Sequence, residues 1–262
     1  MSDIFVFPYK AESKSAKALS EAMDVYRINR TNSQFVGRPT RTVINWGFGD
    51  TLPSEVAKCR IINKPDAIAK AVNKIASFQH FVLGRVSCPQ FSTDRTTAQQ
   101  WINAGYGVYA RQRVEGHDGQ GVEFIPYYRD NLPGVVPQAR FYTRQVPQGT
   151  EYRLTVVGDE VICYQKKVPL SNHPTPSDPN IRTTGGGWGF EVVSSNTIPP
   201  SADAEAVAAV KALGLDFGGV DLIASGRHAY VLTVNTDPHL TPYCAEKLSE
   251  ALKEYIRGED RT

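Results

Sequence analysis

Residues 151–168 have the sequence EYRLTVVGDEVICYQKKV, and this stretch decides the fold class. Two runs rich in Val, Ile, Thr and Tyr lie on either side of Gly158 and Asp159. Such residues favour strands, and a Gly-Asp pair between two strand-like runs is typical of a hairpin turn. We therefore predict that Glu151–Val157 and Val161–Val168 pair in an antiparallel sheet, preceded by a third strand at Arg140–Val146.

The segments after the hairpin predict an α+β unit. Residues 169–187 are rich in Pro, Ser, Asn and Gly, a composition typical of a mobile loop or a plain surface linker. Regular elements follow this loop. In order, they are a helix from the N-cap Ser201 to Leu213, strands at Gly219–Ala224 and Tyr230–Asn235, and a helix from the N-cap Thr241 to Gly258.

The chain before the hairpin contains two smaller patterns. Residues 1–85 begin with the strand-like run Ile4–Phe7 and a helical stretch, add two more short strands, and end in a helix with Pro65 at its first position. Residues 86–145 combine short strands with one helix, as in a compact second lobe. We predict three units, 1–85, 86–145 and 146–262.

Composition places the chain among ordinary globular proteins. The 262 residues are 41% hydrophobic and 21% charged, which excludes disordered, collagen-like and coiled-coil classes. The net charge of +2 makes general nucleic-acid or membrane-surface binding a poor default. No apolar run reaches the roughly 20 residues that cross a bilayer, and the start lacks a signal-peptide pattern. We expect a cytoplasmic protein.

The cysteines and histidines do not follow metal-binding spacings. The four cysteines lie far apart without a Cys-x-x-Cys pair, and the five histidines show no i, i+4 pair. We therefore expect no zinc site, no thioredoxin-type motif and no disulfide framework. The simplest interpretation makes the cysteines small buried apolar residues.

A glycine-rich segment, Gly116–Gly121, separates two predicted strands and follows Arg111 and Arg113. Free backbone N–H groups and guanidinium charge are suited to a polyphosphate. The segment is neither a Walker loop nor a Rossmann turn, because no Lys-Ser or Lys-Thr follows it and it opens a strand. Taken alone it is also compatible with an ordinary hairpin turn.

Two further clusters could bind an anion and its metal ion. Asp221 and Asn235 lie on neighbouring predicted strands and offer the oxygen ligands that Mg²⁺ prefers. Glu151 and Arg153 lie opposite Lys166 and Lys167 in the predicted hairpin. The alternatives are hydrogen-bonded structural residues for the first cluster and a solvated face with weak ion pairs for the second.

In this order, the segments resemble the ATP-grasp superfamily, and within it the carboxylate–amine ligases, including phage-encoded proteins similar to α-L-glutamate ligases. The resemblance rests on Asn45–Gly47, Asn63–Lys74, Gly116–Val122, Glu151–Arg153, and the strands carrying Asp221 and Asn235. It spans nearly the whole chain. It implies an α+β fold in which an N-terminal α/β substrate domain precedes two α+β lobes that grip ATP between antiparallel sheets.

The resemblance also implies a role for individual residues. ATP would contact the basic, glycine and hinge positions, with Glu151 accepting hydrogen bonds from the ribose. Arg153 and Lys167 would be catalytic, Asp221 and Asn235 would bind Mg²⁺, and the substrate would contact Asn45, Lys166 and Thr236. The positions implied for ATP are Lys74, Arg111, Arg113, Gly116, Gly119, Gly121, Gln145, Val146 and Glu151.

Three positions depart from the family pattern. Thr233 replaces the Glu that usually bridges two Mg²⁺ ions, so we expect weaker metal binding. His239 replaces a small residue, with Asp237 two positions earlier. Gln112, between two arginines, lies where a phosphate-binding lysine is expected, and arginine offers a different donor geometry.

The resemblance implies an ATP-dependent ligase that joins a carboxylate to an amine through an acylphosphate, with small-molecule or peptide substrates. The alternative is an impaired protein that binds nucleotide and serves an interaction role, as Thr233 would allow. Nucleic-acid binding through Arg140, Arg144 and neighbouring tyrosines is the least favoured interpretation because the net charge is small. The sequence gives no indication of the oligomeric state.

Overall fold

A computed structural model describes residues 3–31, 33–115, 121–129, 132–171 and 178–259. Within these residues, three sheets of four or five strands follow one another along the chain. The first is parallel, with strand order β2-β1-β3-β4. Its elements are β1 (Ile4–Pro8), α1 (Lys14–Met23), β2 (Tyr26–Arg27), β3 (Thr42–Trp46), α2 (Ser54–Ala57) and β4 (Arg60–Ile62), and two helices follow, α3 (Pro65–Val72) and α4 (Lys74–Leu83).

The second sheet is antiparallel, with strand order β5-β10-β6-β7. One helix packs on it and buries Ala98 and Ile102. A separate two-stranded pair, β8 with β9, lies between β7 and β10 in the chain. These elements are β5 (Phe91–Ser92), α5 (Arg95–Asn103), β6 (Val108–Arg111), β7 (Val122–Ile125), β8 (Tyr128–Arg129), β9 (Leu132–Pro133) and β10 (Phe141–Arg144).

The third sheet contains the predicted hairpin at its centre and has the order β13-β12-β11-β14-β15. Gly158 has φ +55° in the turn, a conformation that glycine adopts without strain. All four pairings are antiparallel. The elements are β11 (Thr150–Val157), β12 (Glu160–Pro169), β13 (Trp188–Val192), α6 (Pro200–Leu213), β14 (Phe217–Ser225), β15 (His228–Asn235) and α7 (Pro242–Glu259).

Two apolar cores cover the faces of the third sheet. One face packs against α6 together with α3 and α4, around residues such as Leu154, Val220 and Phe78. Part of the other face packs against α7 and continues into α1 and the first sheet, where Trp46 stacks on Phe217 at 5.4 Å between ring centroids. The rest of that face is free to form a cavity. No helix in the described ranges is long and apolar enough to cross a membrane.

The predicted helix that begins at Pro65 is divided in two. Asn73 is extended, with φ −80° and ψ 111°, and its side chain accepts a hydrogen bond from the Ala76 N–H as the N-cap of α4. The Lys74 N–H donates to the Val114 carbonyl at 2.8 Å instead of continuing α3. As a result Lys74 opens the second helix rather than closing the first.

Two smaller predictions are wrong. Ser201 lies inside α6, which begins at Pro200, and its hydroxyl donates to the Arg227 carbonyl instead of capping the helix. Cys163 and Cys244 form a disulfide between β12 and α7, with 5.8 Å between their Cα atoms. These cysteines are 81 positions apart, so only the packing of α7 on the sheet brings them together. Cys59 and Cys88 are free.

Asn63 joins the first sheet to the third. It is fully buried with φ +61°, and its amide accepts from the N–H groups of Asp216 and Phe217 and donates to the Phe217 carbonyl. These bonds satisfy the backbone where the chain enters β14. Buried backbone groups left without partners cost free energy.

We expect Asn63→Ala to lower the free energy of unfolding by about 3 kcal/mol, because it leaves three buried backbone groups unpaired. Urea denaturation measures this loss. Asn63→Gly is the matched control: it removes the same bonds but tolerates the positive φ, so it should cost about 1 kcal/mol less. A loss below about 1 kcal/mol in Asn63→Ala would contradict the role given to this amide.

Candidate functional site

A cavity of about 1240 Å³ lies between the second and third sheets. Residues from β6 and β10 line one side, and residues from β11 to β15 line the other. The cavity is therefore built from two sheets that belong to different parts of the chain. Ligand sites commonly form in such clefts between structural units.

Basic side chains outnumber acidic ones around this cavity. Among the described residues, seven Lys and Arg side chains and four Asp and Glu side chains line it. The walls therefore carry a positive excess, which favours an anion with several charges. The basic residues are Lys74, Arg111, Arg113, Arg144, Arg153, Lys167 and Arg182, and the acidic ones are Glu115, Glu151, Asp221 and Asp237.

Arg153 and Asp221 form a buried bidentate ion pair at the floor of the cavity. They lie directly opposite each other on β11 and β14, and Nε and Nη2 of the arginine donate to the two carboxylate oxygens at 2.6 and 2.8 Å. Burial alone would raise the pKa of Asp221, but the Arg153 charge and hydrogen bonds lower it below its ordinary value. Asp221 is therefore a permanent negative charge.

A second ion pair lies beside the first. The Lys167 ammonium lies 2.9 Å from Oε1 of Glu151, and Arg182 lies 3.9 Å from Oε2. Both Glu151 and Lys167 side chains are about nine-tenths buried. Burial raises the pKa of Glu151, and the neighbouring Lys167 opposes this shift. The two pairs form a compact cluster of alternating charge.

Lys74 and Arg111 provide positive charge at the cavity, and neither forms an ion pair with a carboxylate of the described residues. The Lys74 Nζ donates to the Thr233 hydroxyl at 2.5 Å. Burial, and then repulsion from Arg111, lower the pKa of Lys74 to about 8, against the attraction of Asp221. The Arg111 Nε is buried and has no hydrogen-bond partner within the described part of the chain. Two cations placed in this way form a site prepared for an anion.

The donor set around Asp221 fits one Mg²⁺ ion. Asp221 lies opposite Thr233 on β15, and the Asn235 Nδ2 donates to Asp221 Oδ2 at 3.0 Å. One carboxylate, one amide and one hydroxyl are hard oxygen donors, and Mg²⁺ takes its remaining ligands from water and phosphates. The described residues contain no cluster of three or more His, Cys, Asp or Glu that could bind a metal ion.

The structure brings most of the predicted site residues to the cavity. Two predicted glycines, Gly116 and Gly119, lie outside the described residues. Gly121 is described but does not line the cavity. Those that do are Lys74, Arg111, Arg113, Gln145, Val146, Glu151, Arg153, Lys167, Asp221 and Asn235.

Three residues predicted to contact the substrate do not line the cavity. Lys166 is exposed and alternates with Lys167, so it projects from the opposite face of β12. Asn45 is fully buried, and its amide closes a turn by bonding the N–H and the carbonyl of Phe48. Thr236 is also buried. The structure gives these three residues no contact with the cavity.

Several lining residues were not predicted from the sequence. Strand alternation could have found Tyr109 and Ile223, since each lies two positions from a predicted site residue, Arg111 or Asp221. Arg182 lies in an irregular segment, where periodicity carries no signal. Phe190 is on β13, whose position beside β12 cannot be derived from spacing.

No family model matches the chain. The "Structure of ATP-grasp ligase PsnB complexed with minimal precursor" is 16% identical, with a TM-score of 0.67, and covers 98% of this chain and 99% of that chain. This chain has the ATP-grasp fold. The prediction of an α+β ATP-grasp architecture is thereby confirmed. A further PsnB structure, with minimal precursor, Mg and ADP, has a TM-score of 0.65 at 14% identity and covers 98% and 99% of the two chains.

Curated relatives match parts of the ATP-grasp chain. A probable α-L-glutamate ligase 1 of Shewanella sp. (strain ANA-3) is 37% identical over 111 residues, 41% of this chain and 34% of the relative. The ribosomal protein bS6–L-glutamate ligase of Escherichia coli O7:K1 is 27% identical over 191 residues, 68% of this chain and 60% of the relative. These findings confirm the resemblance to carboxylate–amine ligases, although the chain spans about a third of the first relative's length.

The Lys74 environment generates a prediction about pH. An anion bound beside Lys74 raises the pKa of its ammonium, so binding at pH 8 should take up roughly half a proton, and binding at pH 6.5 almost none. As the pH rises through about 8, the free protein loses this charge and its affinity for inorganic triphosphate should fall. Calorimetry in two buffers of different ionisation enthalpy measures the uptake.

Lys74→Arg is the matched control for the pH prediction, because a guanidinium stays protonated across this range. The proton uptake at pH 8 should therefore be larger in the native chain than in this variant by roughly half a proton. Equal uptake in the two proteins would show that Lys74 is not the titrating group.

Proposed function

We propose that the protein is an ATP-dependent ligase that joins a carboxylate to an amine through an acylphosphate. One observation carries this proposal. Lys74, Arg111, Arg153 and Lys167 all line the cavity, and the buried carboxylate of Asp221 lies among them. This arrangement suits a triphosphate and its metal ion better than a singly charged ligand.

The proposed adenine position is the connection from β10 to β11. Gln145 and Val146 form this connection and line the cavity, and the Gln145 N–H donates to the Gly107 carbonyl at 2.8 Å. Tyr109, Ile223 and Leu232 line the same cavity and offer flat or apolar surface to a base. The phosphates would then lie near Lys74 and Arg111, with Arg113 beside them.

Asp221 and Asn235 would hold Mg²⁺, with water and phosphate oxygens as the remaining ligands. When bound, the ion supplies neutralisation of phosphate charge. Support at the family level comes from PsnB, one structure of which contains Mg and ADP. Glu151 would accept hydrogen bonds from the ribose, which requires its carboxylate to share or release the contact with Lys167.

The chemistry has two steps. An oxygen of the substrate carboxylate attacks the γ-phosphorus, the bond to ADP breaks, and an acylphosphate forms. The amine nitrogen then attacks the acyl carbon, phosphate leaves with the electron pair of the C–O bond, and the excess amine protons pass to solvent. Arg153 and Lys167 neutralise the negative charge of the phosphoryl group during transfer, since this reaction leaves little covalent work to the protein.

The substrate class and the division of labour belong to the same proposal. PsnB is complexed with a precursor peptide, and the bS6 ligase is named for a ribosomal protein, so we propose a small-molecule or peptide carboxylate and amine. Units 86–145 and 146–262 would bind ATP together with Lys74, and the rest of unit 1–85 would contribute to the substrate site. A cytoplasmic location, the host cytoplasm if the protein is phage-encoded, fits the need for ATP.

We expect Asp221→Asn to abolish ADP release in the presence of Mg²⁺, ATP and amino-acid pools, because the site loses its only buried carboxylate on β14. Asp203→Asn is the control, since Asp203 accepts a hydrogen bond from Tyr164 on the other face of the same sheet. ADP release and the mass of the amide product are measured together. Unchanged turnover in Asp221→Asn would remove this carboxylate from the mechanism.

Thr233→Glu should tighten Mg²⁺ binding by about tenfold or more, because a second carboxylate opposite Asp221 adds attraction at close range. Mg²⁺ titration of ATP binding measures this change. Thr233→Gln has a length similar to that of Thr233→Glu without the charge, and it should change the Mg²⁺ affinity far less than Thr233→Glu does. Nucleotide binding without ADP release in the native chain would favour the alternative, an impaired protein with an interaction role.

A further inference from the structure

Phe190 contacts both cations that the proposed mechanism directs at the phosphoryl group. It lies on β13, opposite Lys167 on β12, and its ring lines the cavity. The Arg153 Cζ is 4.1 Å from the ring centroid, and the Lys167 Nζ is 5.1 Å from it. Both distances are within the range in which the ring quadrupole attracts a cation.

This arrangement places two like charges on one small surface. Arg153 and Lys167 side chains are only 11% and 10% exposed, so water screens their repulsion poorly. In the ligand-free protein, Asp221 and Glu151 neutralise them at contact distance. The ring adds a third attraction that is uncharged, and it reaches both cations at once.

Ligand binding would change two of these three partners. In the proposed function Asp221 would bind Mg²⁺ and Glu151 would accept hydrogen bonds from the ribose. Arg153 and Lys167 would then each share or lose a carboxylate partner. A phenyl ring neither ligates a metal ion nor pairs with a phosphate. The contact between Phe190 and the two cations can therefore persist through binding and transfer.

We infer that Phe190 is a positioning residue that keeps Arg153 and Lys167 aimed at the γ-phosphate while their carboxylate partners are engaged by the ligand. The inference rests on the proposed function, and it assigns the edge strand β13 a part in the reaction. Phe190 acts through the two cations and does not touch the reacting atoms. Its effect should consequently depend on the charge distribution of the ring rather than on its volume alone.

The test replaces Phe190 with mono-, di- and trifluorinated phenylalanine, which weakens the quadrupole with little change of shape. Calorimetry measures the dissociation constants of ATP with Mg²⁺ and of AMP. We expect the ATP constant to rise stepwise, reaching roughly tenfold in the trifluorinated protein, while the AMP constant stays the same because AMP lacks the γ-phosphate.

Genetically encoded variants give an independent measurement. Phe190→Leu should weaken ATP binding by roughly tenfold, and Phe190→Tyr should restore it to within about twofold of the native value, since tyrosine keeps a cation-binding face. Trifluorination of Phe81, which lies on α4 and is fully buried in the core, is the control and should leave the ATP constant unchanged. Thermal unfolding of each protein reports whether the fold is retained.

The outcomes separate this inference from the function on which it rests. Equal ATP constants across the fluorinated series, in a native protein that binds ATP, would overturn the role of Phe190 and leave the ligase proposal standing. A parallel rise of the ATP and AMP constants would also overturn it, because a general disturbance of the site would then explain the result. Failure of the native protein to bind ATP would overturn both proposals.

Discussion

Positive charge concentrated around one cavity is the constraint on which the rest of the structure depends. Seven basic side chains from the described residues line it, and such charges repel one another strongly where water is scarce. Asp221 and Glu151 offset part of this repulsion through two buried ion pairs. Removing one partner of such a pair is costly, so the sheet must present both members in register.

The register of the third sheet supplies that placement. Arg153 lies opposite Asp221, Asp221 lies opposite Thr233, and Lys167 lies opposite Phe190. A slip of one residue in any strand would turn its side chains to the face covered by α6. The apolar residues on that face, such as Leu154 and Val220, oppose a slip because they would lose their burial. Packing on one face of the sheet thus specifies the chemistry on the other.

The remaining positive charge is left for a ligand. Lys74 enters the cavity because Asn73 ends one helix and caps the next, and Arg111, whose Nε is buried, faces the same space from β6. A site prepared in this way gains affinity when an anion supplies the missing negative charge. Thr233 preserves this positive charge. Its hydroxyl accepts a hydrogen bond from the Lys74 ammonium, whereas a carboxylate at this position would neutralise the ammonium.

The sequence by itself determined the hairpin, the α+β class and most of the charged residues at the site, because strand alternation and turn residues are local signals that survive without tertiary context. Arg153, Lys167, Asp221 and Asn235 lie on strands predicted in this way, and the resemblance to ATP-grasp ligases is what assigned them to the site. Tertiary structure alone decided that Lys166 and Asn45 do not reach the cavity, that Cys163 meets Cys244, and that Phe190 lies against two cations. These contacts depend on which distant strands and helices pack together, and no periodicity in one segment encodes its partner in another.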